Sequence, residues 1–585
     1  MNRFTRALSL LTALLLLLGC VPAASAETAI DIYAMNPDLT ALEVVRLMGN
    51  GINLGNTMEA YGRVSLGLNA DPTAYETYWG QPVTTREMIQ GMKDAGFDTL
   101  RIPVAWTNTM DFEHDDFTIA ESYLDRVEEI VVWALEAGMY VVVNDHWDGG
   151  WLGMFGSATP ALQERALNLY TALWTQVGER FAKYGDHLIF EAANEEFGNR
   201  LNDTDYAPDS GTLDEDACYR KVAELNQIFV DLIRAQGGNN AQRFLLIPGY
   251  NTDVACTVDD RFVMPTDSAE SRLLLSVHYY DPSGYCIQGS LNSWGTTKDY
   301  DQMNTTLALL EKYTAQGYGI VIGECGVVAA ADDGGVRNDT IKYMTNLLNN
   351  CDLYGYCPLL WDTNFLYQRS RCAMITEDVA ELYASRSFAA QAGLSEDEVK
   401  QAARDAMALD AANATEALGA AENQAIAWIM FNSGDWCAMY SVGDTYDPTQ
   451  VTAGVTATDV EVTGPGTYTV SLDFSGYGDG YVVGTAFSAL AISNGEQLFP
   501  GCLINLKEIS INGVKYLPKG RAYTTSDDGK CTRVNLYNAW VTKLPTSARI
   551  QGNNLTGATP TLLNNDDEAL KRIETLAVTF ELIVP

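Results

Sequence analysis

Eight short apolar runs, strung along residues 51–364 and separated by mostly helical connections, constrain what this chain can fold into more than any other feature. They are Gly51–Asn56, Thr99–Val104, Met139–Asn144, Leu188–Asn194, Arg243–Gly249, Leu273–Tyr280, Gly319–Gly323 and Pro358–Asp362. All are rich in Val, Ile and Leu, and none alternates cleanly with polar residues, which is how strands buried on both faces read. Between them, Leu124, Val127, Val131 and Leu135 fall at helical spacing, as do Val222, Leu225, Phe229, Leu232 and Ile233. Several helical segments stop at a glycine before the next run, as at Gly96, Gly138 and Gly317. Eight strands with helical crossovers predict an α/β fold, a (β/α)8 TIM barrel. The connection Tyr250–Arg272 is the least helical, and the acidic insert Asn199–Asp216 reads as a long loop after the fourth strand.

The barrel does not use up the chain. Its 585 residues leave room for an accessory module. Thr376–Phe388 reads as the helix after the eighth strand, and Leu394–Glu422, rich in Ala, Glu and Asp, as a helical connector. From about residue 425 the period changes to two. Alternating runs at Thr467–Phe474, Ala486–Ser493, Ile504–Asn512, Arg533–Trp540 and Leu576–Val584 are separated by Gly, Asn and Asp clusters, the pattern of an all-β sandwich. The expected organisation is a processed leader at 1–26, a barrel at 27–395, a connector at 396–424 and a sandwich at 425–585.

At the N-terminus, Arg3 and Arg6 precede the apolar run Leu8–Leu18, too short to span a bilayer and of signal-peptide type. Ala24-Ser25-Ala26 fits signal-peptidase cleavage, so the mature chain starts at Glu27 and is secreted. The alternative is Leu17-Leu18-Gly19-Cys20, which resembles a lipobox and would make Cys20 a lipid anchor at the outer face of a bacterial membrane. The formal charge of −39 repels nucleic acid and anionic membranes and favours a neutral or cationic substrate. Eleven cysteines are too few for a disulfide-dense scaffold, and no Cys-x-x-Cys pair suggests zinc. Cys502 and Cys531 are candidates for a bridge that spacing does not fix. The first strand lacks the His-x-His of a metal-dependent barrel hydrolase; no metal and no cofactor is expected. Asp332-Asp333 and Asn564–Glu568 read as solvated loops rather than calcium sites.

In such a barrel the chemistry lies at the C-terminal ends of the strands. Those ends carry Gly55-Asn56 on the first strand, Arg101 on the second, His146-Trp147 after the third and Asn194-Glu195-Glu196 after the fourth. His278-Tyr279-Tyr280 ends the sixth, Glu324 the seventh and Trp361 the eighth. One glutamate at a strand end is ordinarily a solvated loop residue. Two in one barrel, ringed by His, Arg, Asn, Tyr and Trp, match glycoside hydrolysis. One carboxyl protonates the leaving oxygen, and a second attacks the anomeric carbon or activates water against it. An aromatic face stacks on the sugar ring.

The motifs Gly51-Ile52-Asn53-Leu54-Gly55-Asn56-Thr57, Leu100-Arg101-Ile102-Pro103-Val104, Val277-His278-Tyr279-Tyr280 and Ile322-Gly323-Glu324 resemble glycoside hydrolase family 5, the cellulase family, over roughly residues 40–390. Trp79-Gly80-Gln81-Pro82 and Gly237–Arg243 resemble its endoglucanase, lichenase and xyloglucanase subgroup. The resemblance implies a retaining endo-β-1,4-glucanase acting on a β-glucan polysaccharide, with a β-mannanase of the same family or a non-catalytic polysaccharide-binding protein as alternatives. It implies Glu195 as acid/base and Glu324 as nucleophile, Asn194 on the sugar 2-hydroxyl, and Arg101 and Tyr280 flanking Glu324. His146 and His278 would bind sugar hydroxyls or orient the carboxyls, and Trp361 would floor the subsite before the cleaved bond. Retention follows if the carboxyls lie about 5–5.5 Å apart.

Three positions depart from the family. Asn194-Glu195-Glu196 replaces Asn-Glu-Pro, with Glu196 expected to face outward. His146-Trp147 replaces a His-His pair and adds an aromatic sugar platform. Ile52 replaces a frequent Trp. The sandwich suggests carbohydrate binding or a spacer role, with Trp436, Tyr440, Tyr477, Tyr481, Tyr537 and Trp540 as candidate stacking residues against a core reading for each. A monomer is the default for a secreted glycanase.

Overall fold

The computed structural model describes residues 31–584 apart from 290, 292, 332, 415–423, 443–449 and 527–528. The leader, with Cys20 and the Ala24-Ser25-Ala26 site, lies outside the described residues, as does Asp332. Among the described residues no helix is long and apolar enough to cross a membrane. These residues divide into two compact units. One holds those up to Tyr279 with Ala308–Cys325 and Cys351–Lys400; the other holds Tyr280–Leu307, Gly326–Asn350 and those from Gln401 on.

The first unit contains a closed parallel barrel of eight strands in chain order. The strands are β1 (Gly51–Asn53), β2 (Thr99–Ile102), β3 (Tyr140–Asn144), β4 (Leu188–Glu191), β5 (Leu245–Asp253), β6 (Leu273–Tyr279), β7 (Gly319–Cys325) and β8 (Cys357–Leu360). β8 closes the ring by pairing with β1, Leu359 against Gly51. Except at the end of β5, every strand residue is buried, which is why the runs show no alternation. Gly96 and Gly138 take positive φ just after their helices, as expected of C-terminal caps.

A short helix, Ala41–Leu47, begins at a capping box in which Thr40 and Glu43 satisfy each other's backbone N–H groups. Its Ala41, Val44 and Val45 pack with Ile189, Leu246 and Leu274, each the second residue of its strand, and with Val142, Val321 and Leu359. Apolar packing thus seals the N-terminal mouth and leaves polar side chains to the other end. After β8 come a two-residue ladder, β9 (Tyr367–Gln368) with β10 (Ala373–Met374), and helices Glu377–Ala384 and Glu396–Asn413.

The C-terminal unit is built on two antiparallel sheets. One runs β13 (Gln450–Val451), β12 (Met439–Ser441), β11 (Ile426–Ser433), β17 (Thr485–Ser493), β20 (Thr532–Asn538), with β15 (Val460–Glu461) also on β11. The other runs β14 (Thr456–Thr458), β16 (Gly466–Asp473), β21 (Thr575–Ile583), β18 (Leu503–Ile511), β19 (Val514–Tyr516). β21 alternates half-buried and buried residues along its length, as a strand with one face on a core must. Trp428, Phe431 and Leu490 of the first sheet share one apolar core with Leu472, Val578 and Phe580 of the second. Cys502 and Cys531 are not bridged, and none of the ten cysteines among the described residues is in a disulfide. Buried packing between the sheets holds this unit without a staple.

Candidate active site

A buried arginine organises the C-terminal mouth of the barrel. Arg101, on β2, has no exposed surface. Its Nε donates to Glu191 Oε2 at 2.7 Å, Nη1 to Asn53 Oδ1 and Glu324 Oε1 at 2.9 Å each, and Nη2 to Asn194 Oδ1 at 2.8 Å. Burial works against its charge, but Glu191 and Glu324 outweigh burial and raise its pKa. Asn53 in turn donates to Gly323 O at 3.0 Å, tying β1 to β7 beside Glu324. A planar fork with five donors suits this task, where a lysine would offer one point of charge.

Two glutamates and a histidine form the second layer of polar contacts. His278 Nδ1 lies 2.9 Å from Glu195 Oε1 and 3.6 Å from Glu324 Oε2. The three residues place one ligand atom each within 4.8 Å of one another. Glu324 is the enclosed member, at 7 % side-chain exposure, and Glu195 the open one, at 39 %. Burial raises the Glu324 pKa, with the charges of His278 and Arg101 opposing it. Glu195 also feels burial, but the His278 hydrogen bond and the charges of His278, Arg200 and Arg101 win and lower it. His278 resists charge because it is buried, yet the facing Glu324 and Glu195 raise its pKa. His278 feels the charge of both carboxyls, and Glu324 feels both His278 and Glu195. This trio is also the grouping among the described residues with the spacing to hold a cation. The fixed charge of Arg101 against Glu324 disfavours one there.

β7 explains the glycine before Glu324. A Cβ on Gly323 would stand 2.7 Å from Ser276 Oγ and 3.2 Å from His278 Nε2, so only glycine lets β6 and β7 approach with the histidine in place. His146 follows β3, anchored by its N–H on Val104 O. Burial and the charge of Arg101 hold its pKa well below the ordinary histidine range, so it is neutral. Its ring lies parallel to Trp361 with centroids 5.5 Å apart, and its Nε2 is 3.9 Å from Glu324 Oε1. Trp147 is half-buried, edge-on to Tyr61 and 6.3 Å from the Trp79 ring. Asn56 is half-buried in a left-handed turn whose N–H is held by Glu59. Tyr280 stands directly after β6, half-buried.

Glu196 corrects an expectation. It does not face outward: it is 2 % exposed and accepts a hydrogen bond from Arg200 Nη1 at 3.0 Å. Burial, with Glu195 and Glu324 nearby, pushes its pKa up to about 7 against the pull of Arg200. Glu191 and Asn53 were not among the expected site residues. The available signal was a charged or amide side chain inside a strand otherwise buried on both faces, where it must find a partner.

A sealed barrel whose open end presents two carboxyls, a bridging histidine, a fixed guanidinium and aromatic rings is that of a glycoside hydrolase. The comparisons agree. The model of the cellulase family (glycosyl hydrolase family 5) matches residues 65–365. Endoglucanase A of Paenibacillus barcinonensis is 33 % identical over 358 residues, covering 56 % of this chain and 83 % of that protein. A xyloglucan-specific endo-β-1,4-glucanase of Bacteroides ovatus is 34 % identical over 367 residues, 59 % of this chain and 69 % of its own. Among solved structures, a broad-specificity endoglucanase of Ruminococcus champanellensis with bound cellotriose superposes with a TM-score of 0.52 at 30 % identity, over 60 % of this chain and 99 % of that one. The chain belongs to glycosyl hydrolase family 5 and is a glycoside hydrolase of the endoglucanase type.

Proposed function

We propose that the protein is a retaining endo-β-1,4-glucanase of plant cell-wall β-glucans, with Glu324 as nucleophile and Glu195 as acid/base. The observation that carries this reading is the spacing of the two glutamates: an oxygen of each lies within 4.8 Å of the other. Inverting enzymes keep their carboxyls about 6.5–9.5 Å apart to admit a water, and retaining ones about 5–5.5 Å. Arg101 donates to Glu324 and not to Glu195, so its permanent charge opposes the burial that raises the nucleophile's pKa. Glu195 has His278 as its ion-pair partner, and that partner can give up its proton across 2.9 Å. Sugar filling the cleft removes water from Glu195 and favours the neutral Glu–His pair, which puts the proton where the leaving oxygen needs it.

In the first step Glu324 attacks the anomeric carbon, the glycosidic C–O bond breaks, and Glu195 protonates the departing oxygen. In the second, Glu195 takes a proton from water as that water attacks the same carbon and frees the Glu324 carboxylate. Asn194 has its Oδ1 on Arg101, which leaves its amide N–H groups to donate to a sugar 2-hydroxyl. Neutral His146 offers a hydrogen bond without charge, and Trp361, Trp147 and Trp79 offer stacking faces. The known complexes of relatives with cellotriose and a xyloglucan heptasaccharide support a β-glucan substrate. The N-terminal apolar run supports export, by cleavage after Ala26 or lipidation at Cys20; intact-mass measurement of the mature chain separates the two.

The test is reducing-sugar release from mixed-linkage glucan, xyloglucan, carboxymethylcellulose, glucomannan and xylan, beside Glu324→Gln and Glu195→Gln. Release from a β-glucan, with a loss of about a thousandfold or more in Glu324→Gln, is expected. NMR of the first product must show the β-anomer. An α-anomer, or undiminished release by Glu324→Gln, overturns the mechanism, and release from glucomannan without release from any β-glucan moves the substrate to mannans.

A further inference from the structure

Two indole rings stand in water on the sandwich. Trp436 sits in the hairpin between β11 and β12 at 49 % exposure, and Trp540, two residues beyond β20, at 62 %. Their centroids are 5.8 Å apart and their planes meet at 52°. Neither ring hangs on a loose loop. The Trp436 N–H donates to Ser433 O at 2.9 Å, Ser433 Oγ donates to Asp435 Oδ1, and the Cys437 and Ala438 N–H groups are taken by Asp435 and Ser433. The Gly434 N–H donates to Val483 O at 3.2 Å, which ties the hairpin to the segment before β17. Trp540 is pinned through its N–H to Asn538 Oδ1 at 3.2 Å. Trp436 also adopts φ 62°, a left-handed conformation that bulky residues rarely take and that persists only where the surroundings enforce it. The sandwich thus spends backbone strain and apolar exposure to hold two aromatic faces toward solvent.

We propose that Trp436 and Trp540 form a second sugar site, which stacks successive rings of a single β-glucan chain; the identity of the glucan rests on the reading of the barrel given above. The chemistry selects the occupant. Pyranose rings carry an apolar C–H face that an indole covers, and the polymer is neutral, so the charge of −39 and the Asp435 carboxylate in the turn do not repel it as they would an acidic polysaccharide. The tilt selects its form. Rings at 52° make an open V, which fits a twisted chain in solution, whereas the flat face of crystalline cellulose needs coplanar rings. Tethering such a site to the hydrolase raises the effective concentration of polymer without altering the reaction on short substrates.

The experiment uses the full chain. Gel retardation by soluble mixed-linkage glucan and pull-down on microcrystalline cellulose compare Glu324→Gln with Glu324→Gln carrying Trp436→Ala and Trp540→Ala. Hydrolysis of an aryl cello-oligosaccharide is followed with the two tryptophan changes in the otherwise native chain, with thermal melting to confirm folding. The expected result is about tenfold weaker retardation on soluble glucan, weak pull-down throughout, and oligosaccharide hydrolysis within about twofold of the parent. Trp436→Phe with Trp540→Phe should retain part of the binding. Unchanged retardation with normal hydrolysis overturns the second site and leaves the barrel reading standing. Tryptophan-dependent retardation in a chain that hydrolyses nothing supports the site and sinks the barrel reading. Loss of a dimer with unchanged retardation assigns the rings to self-association and overturns the proposal.

Discussion

Glu196 is buried beside the two candidate catalytic glutamates, and its chemistry is graded by pH. Above about pH 7 it carries a charge in a buried position near Glu195 and Glu324, with Arg200 as its partner. A negative charge beside Glu195 makes that acid hold its proton to higher pH. Glu196→Gln therefore moves the alkaline limb of kcat/KM to lower pH, by roughly half to one unit, and leaves the acid limb in place. A shift of the acid limb alone would refute this account. Nothing in the local sequence marks the residue as buried. Its partner lies four positions on, in a 3-10 turn at the start of the long insert after β4, and only the closed fold shows that Arg200 reaches back.

At the scale of elements, the barrel and most of the sandwich were legible because their strands obey two simple periods. Unbroken apolar runs marked β1 to β8, and alternation placed β16, β17, β18, β20 and β21 within a residue or two of their ends. β11 escaped because Ile426–Ser433 is buried along most of its length and does not alternate. β5 runs on to Asp253 through Asn251 and Thr252, both at positive φ, an irregularity that no pattern of hydrophobicity encodes. The ten expected site residues lie on or a few residues past the C-terminal ends of their strands, but the buried Asn53 and Glu191 that hold Arg101 were hidden among apolar neighbours. The β6–β7 contact gives an element-scale prediction. Gly323→Ala drives a methyl group into Ser276 Oγ and His278, and should lower kcat by about tenfold or more through the displaced histidine. Ser276→Gly in the same chain removes the hydroxyl and should restore part of the loss. No restoration would mean that the glycine serves another purpose.

Across the whole molecule, buried acids set the response to pH. Burial lifts Glu59, Asp148 and Glu196 each to about 7, and it also raises Asp145, Asp186, Asp352 and Asp362. In the unfolded chain such groups lose their protons near pH 4 to 4.5, so between there and about pH 7 the folded state binds more protons, and stability falls as pH rises. His146 and His187, whose pKa values burial lowers, act the other way below about pH 6.5, while Glu324, Asp459 and the raised His278 add to the acids' side. Relief of self-repulsion in a chain of charge −39 adds to the acids' effect. Calorimetry should find the Tm of the first transition higher by a few degrees at pH 5.5 than at pH 7.5. A higher value at pH 7.5 would show that these carboxyls find partners that offset burial.

Ten thiols without a single cross-link among the described residues bear on how the protein is handled as well as how it is built. Among the described residues no cross-link waits on oxidation, so their fold needs no oxidant and loses no brace in sulfidic or anaerobic surroundings. Recombinant production inside a reducing bacterial cytosol should give active enzyme, and millimolar dithiothreitol should leave both melting temperature and glucan hydrolysis where they were.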